Sequence, residues 1–68
     1  MIRKKTPNGD IEIKAPRTRL TVVIHPSYID MIELIIGGGV VTISRKELVA
    51  LQELLHAAYN EIAILEQK

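Results

Sequence analysis

A side chain that works on a substrate needs a second group to activate or orient it, and few residues in this chain are spaced to supply one. The histidines are His25 and His56, the serines are Ser27 and Ser44, and there is no cysteine. His56 lies three residues after Glu53 and four before Asn60, which makes them neighbours on a helical surface. Two such groups do not make a zinc site, which takes four ligands. His25 precedes Pro26 at the end of an apolar run and is expected to be a turn residue. Asp30 and Glu33 are an odd number of positions apart, so on one strand they would face opposite ways and could not cooperate. Ser44 has a structural use given below, and nothing in the sequence places a base near Ser27. No catalytic residue, metal ligand or cofactor is assigned, and the expectation is a protein that is not an enzyme.

The remaining chemical candidate is Gly37-Gly38-Gly39, within LIIGGGVVTISRKELVAL, Leu34 to Leu51. A glycine loop that cradles phosphate must lead straight into a helix whose first amides hold the anion. Here the β-branched run Val40-Val41-Thr42-Ile43 follows instead. The glycines are therefore expected to turn one strand into the next. An anionic ligand beside Gly37, Gly38 and Gly39 remains the alternative.

Two-residue alternation marks the strands. IRKKTPNGDIEIK reads as a hairpin, with Pro7 and Asn8 at the corners of a type I turn and Gly9 in the left-handed position after them. Pro16 then interrupts pairing because it lacks an N–H. RLTVVIH resumes as a strand with Leu20, Val22 and Ile24 on one face, HPSY turns, and Ile29 to Ile36 is expected to form the next strand. Ser44 followed by Glu47 is a capping box, flanked by Ile43 and Leu48 as a hydrophobic staple. From there to Gln67 there is neither glycine nor proline, which predicts a long helix. The fold class is α+β, an antiparallel β-meander of about four to five strands followed by one long C-terminal α-helix. It forms a single domain, 1–68: a basic hairpin (1–14), a three-stranded meander (19–43) and the helix (44–67) packed on the sheet.

The helix is apolar on more than one side. Leu48, Leu51, Leu55, Ala58, Ile62 and Leu65 recur at spacings of three and four, and Leu54 and Tyr59 add a flank. One small sheet covers one side only, so these eight residues are expected to form an oligomer interface, most simply in a homodimer. That would also meet the stability shortfall of a 68-residue chain without disulfides.

At 47% apolar residues the chain is too hydrophobic for disorder. Its longest uncharged apolar run, Leu34 to Ile43, is far shorter than the roughly 20 residues a membrane span needs. The basic start runs into Thr6-Pro7-Asn8-Gly9 rather than an apolar stretch, so no leader and no membrane partner are expected, and the expected location is cytoplasmic. Formal charge is +1 overall but uneven. Residues 1–24 carry Arg3, Lys4, Lys5, Lys14, Arg17 and Arg19 against Asp10 and Glu12, a balance of +4, and the remainder carries −3. These six basic residues are the candidate nucleic-acid contacts, suited to phosphate rather than to base edges. The same lysines would equally protect an edge hairpin from pairing with other sheets. The alternative function is a protein-interaction module, a compact inhibitor or assembly factor docking its aliphatic surface on a larger protein.

Val41-Thr42-Ile43-Ser44-Arg45-Lys46-Glu47-Leu48 resembles the last strand and helix start of the transcriptional coactivator family typified by positive cofactor four. The resemblance implies an antiparallel sheet with one C-terminal helix, dimerisation through the helices and contact with single-stranded DNA. Arg45 stands where that family usually has proline, Leu48 where it has an aromatic residue, and the Gly37-Gly38 turn replaces a longer basic loop. No DNA-binding residue is carried over.

Overall fold

The computed structural model describes residues 1–67. Five strands, β1 (Ile2–Lys5), β2 (Ile11–Lys14), β3 (Leu20–Ile24), β4 (Ile32–Ile36) and β5 (Gly39–Ile43), precede one helix, α1 (Arg45–Glu66). The strands form one antiparallel sheet in sequence order, β1-β2-β3-β4-β5, so every link is a short local connection. The expected α+β class and meander topology are observed.

Register assigns the two faces, because residues paired across antiparallel strands share a side. Ile11 pairs with Ile24 and Ile13 with Val22. Val22 pairs in turn with Leu34 and Leu20 with Ile36, while Ile32 meets Ile43 and Leu34 meets Val41. One face is therefore continuous aliphatic surface from β2 to β5. The other carries Glu12, Lys14, Thr21, Glu33 and Thr42, with Val23, Ile35 and Val40 among them.

Local chemistry explains the turns. Gly9, at φ 90°, closes the first hairpin, where the Gly9 N–H donates to the Thr6 carbonyl at 2.9 Å and the Thr6 N–H to that of Asp10 at 2.8 Å. Gly37, at φ 61°, takes the first central position of a two-residue turn and Gly38 does not need positive φ, the pattern of a type II′ turn. The glycine run is thus a hairpin, as its surroundings imply. The strand expected from Ile29 begins only at Ile32. Residues 26–31 instead fold on themselves, with the Tyr28 N–H donating to the His25 carbonyl at 2.8 Å and the Met31 N–H to that of Tyr28 at 3.2 Å. Asp30 consequently lies in a loop and not, as expected, on one strand with Glu33.

The helix start matches the capping box. Ser44 Oγ accepts the Glu47 N–H at 3.2 Å, and Glu47 Oε1 accepts the Ser44 N–H at 3.0 Å. The helix does not lie packed along the sheet as expected. Leu48 and Leu51 are half-buried against the aliphatic face, and no helical residue is fully buried. A five-residue strand spans about 17 Å and a 22-residue helix about 33 Å, so the helix overhangs the sheet it crosses. The molecule measures 48 × 27 × 19 Å. Its radius of gyration is 14.1 Å, against about 11 Å for a compact chain of this length. Among the described residues the buried hydrophobic ones are Val23 and Ile32, 8% and 3% exposed, and they lie on opposite faces of the sheet.

The two turn glycines differ in what they tolerate. An added Cβ meets nothing within 4 Å at either position, but only Gly37 has a left-handed backbone. Gly37→Ala should lower unfolding free energy by about 1 kcal/mol, and Gly38→Ala should change it by less than about 0.5 kcal/mol, both measured by urea denaturation at one protein concentration.

Candidate functional site

Three consecutive basic residues on an edge strand must alternate in direction. Arg3 pairs with Ile13 and Lys5 with Ile11, so both border the aliphatic face; Lys4 pairs with Glu12 and points to the opposite side, as does Lys14. The link from β2 to β3 carries Arg17 and Arg19. It is closed by the Ala15 N–H donating to the Leu20 carbonyl at 3.1 Å and by the Thr18 hydroxyl donating to the Ala15 carbonyl at 2.7 Å. All six basic residues are exposed. They follow the outer edge of β1 and continue round the sheet end where Lys14, Arg17 and Arg19 lie. This is a belt rather than one face. The Gly37 N–H donates to the Arg19 carbonyl at 3.1 Å, which brings the glycine turn beside the arginine loop.

The second surface is apolar. Of the eight helix residues expected at an interface, Leu48 and Leu51 lean on the chain's own sheet, and Leu54, Leu55, Ala58, Tyr59, Ile62 and Leu65 are exposed. Leu54, Leu65 and Tyr59 are 68%, 63% and 72% exposed. Grooves flank the helix where it crosses the sheet, one lined by Leu20, Leu34, Ile36 and Leu55 and the other by Val41, Ala50 and Leu54. Among the described residues, no helix is long and apolar enough to cross a membrane.

A third cluster was not legible in the sequence. His25 Nδ1 lies 2.9 Å from Asp10 Oδ1, and His25 Nε2 lies 3.1 Å from Glu33 Oε2. The hydrogen bond to Asp10 does most to raise the His25 pKa above its ordinary 6.5; partial loss of hydration opposes it, and the Glu33 hydrogen bond and both carboxylate charges add to it. His25 is thus not the lone turn residue expected from its place before Pro26. The signal was the pairing of Ile11 with Ile24, which puts Asp10 beside His25 but can be known only once register is known. Nearby, Asp30 Oδ1 accepts the first helical N–H, that of Arg45, at 3.0 Å and faces its guanidinium at 3.6 Å. His56 is exposed on the helix. Among the described residues, no group of three or more His, Asp or Glu side chains is placed to hold a metal ion.

Compared with family models, with curated proteins and with solved structures, the chain matches none.

Arg17 combines candidate function with a backbone cost, since φ is 62° at a residue that carries a Cβ. Arg17→Gly should raise stability by about 0.5–1 kcal/mol, read from the urea midpoint, although it removes one of the six belt cations.

Proposed function

We propose that the protein is a small, non-enzymatic regulatory module that self-associates through its aliphatic surfaces and contacts nucleic-acid backbone through its basic belt. The observation that carries the nucleic-acid reading is the exposure of Arg3, Lys4, Lys5, Lys14, Arg17 and Arg19 along one edge and one end of the sheet. Distributed cations of this kind suit the regularly spaced charges of a phosphate chain. The scarcity of aromatic residues, Tyr28 and Tyr59 alone, favours phosphate contact over base stacking. The weak likeness of Val41–Leu48 to the coactivator family points the same way.

Self-association is supported by area. The chain exposes 5743 Å², whereas a compact monomer of 7.6 kDa exposes about 4,300 Å². Hiding that excess in two copies would remove about 2,900 Å² in total, the size of an obligate homodimer interface. A second copy has the matching surface by construction. The competing reading, docking on a larger protein, is favoured by β5, an uncharged edge strand on which Val40 and Val41 are more than half exposed and which could accept a partner's strand.

Binding of labelled oligonucleotides should weaken steeply with salt, log K falling linearly with log salt concentration. Replacing Arg3, Lys4 and Lys5 by glutamine should flatten that slope by about 2–3. Affinity that is absent or indifferent to salt rejects the nucleic-acid reading and leaves the protein-docking one.

A further inference from the structure

We propose that Asp10, His25 and Glu33 form a proton-gated clamp that ties β2 to β4 across β3 and governs how firmly the loop 26–31 holds the start of α1. The geometry requires a particular protonation state. A neutral imidazole has one donor and one acceptor, whereas the imidazolium donates from both nitrogens. Both His25 nitrogens face carboxylate oxygens, at 2.9 and 3.1 Å, so only the charged ring satisfies both contacts. Once the proton leaves, one nitrogen lone pair confronts a carboxylate. The less enclosed partner then gives way, and that is Glu33, whose side chain is 34% exposed against 25% for Asp10. Asp10 is also fixed by its backbone, because its N–H donates to Thr6 Oγ1 at 3.1 Å and its carbonyl accepts from Thr6.

The charged and titratable groups around the clamp reinforce this assignment. On the same sheet face are Glu12 and Lys14 of β2 and Lys4 of β1, with Lys4 and Glu12 paired in register, and the chain after His25 carries Tyr28 and Asp30. The helix crosses the opposite face, where it lines grooves with Leu34 and Ile36, and its Arg45 is engaged by Asp30. The groups in direct contact with the His25 ring are two carboxylates, which favours its cation.

Backbone hydrogen bonds of the loop, and the covalent chain through Asp30, link the clamp to the helix. The His25 carbonyl accepts the Tyr28 N–H, the Tyr28 carbonyl accepts the Met31 N–H, and Asp30 between them accepts the first helical N–H. Because the folded His25 pKa is raised above its ordinary 6.5, the clamp's stabilisation is fully present below about 6.5 and is lost as pH rises through the folded value. The clamp depends neither on self-association nor on nucleic-acid contact.

Solution NMR between pH 5 and 9 at fixed protein concentration tests it, following the His25 ring and the Arg45 amide in the wild-type chain, Glu33→Gln and His25→Gln. The expected result is that the Arg45 amide moves with the His25 midpoint, that the midpoint falls in Glu33→Gln, and that the Arg45 response vanishes in His25→Gln. If His25→Gln does not fold, the wild-type and Glu33→Gln titrations decide the matter. An Arg45 amide that stays still while His25 titrates, or a midpoint unmoved by Glu33→Gln, overturns the proposal.

Discussion

Aliphatic cover is the constraint on which the rest of the structure depends. A five-stranded sheet with one continuous apolar face needs a layer over that face, because burial of such surface is the main favourable contribution to folding. The chain supplies a single helix, which leans on the sheet at Leu48 and Leu51 and then overhangs it. Among the described residues the buried hydrophobic side chains are Val23 and Ile32, and neither is fully removed from water. Backbone pairing, turns and caps are otherwise well formed, so the local structure is complete and the layer over it is not. The proposed second copy answers that imbalance.

Charge is arranged around this apolar centre. Arg3 and Lys5 border the aliphatic face at β1, which keeps that edge in water, while β5 at the other edge has no charged residue. The two edges are thus unlike in kind: one repels strand addition and attracts anions, the other permits strand addition. In the proposed reading the apolar surfaces serve assembly and the basic belt stays free for phosphate. The Asp10–His25–Glu33 cluster lies on the sheet face away from the helix, beside the loop whose Asp30 holds the helix start. An electrostatic contact is therefore placed next to the joint between the two layers.

Local signals made most of the fold legible. The alternation of Ile11 and Ile13 with charged neighbours, the Asn8-Gly9 turn, the glycine pair and the Ser44–Glu47 box each act over four residues or fewer, and all appear as expected. Ile29 misled because its apolar character continues the β4 pattern, whereas Pro26 and the Asp30 contact to Arg45 hold residues 26–31 in a loop. The basic belt was legible as composition, but its division between two faces and an end needed the register. The clamp was not legible at all, since Asp10 and His25 are 15 positions apart and meet only through pairing of β2 with β3. How little of the sheet the helix would cover was hidden too, because helix direction depends on long-range packing rather than on pattern.

The central claim is that this chain finishes its core with a second copy of itself. Sedimentation equilibrium combined with circular dichroism over a wide range of concentrations tests it most directly. The account predicts a folded species of at least twice the 7.6 kDa chain mass, with an unfolding midpoint that rises with protein concentration. A folded 7.6 kDa monomer, with a midpoint indifferent to concentration, would contradict it.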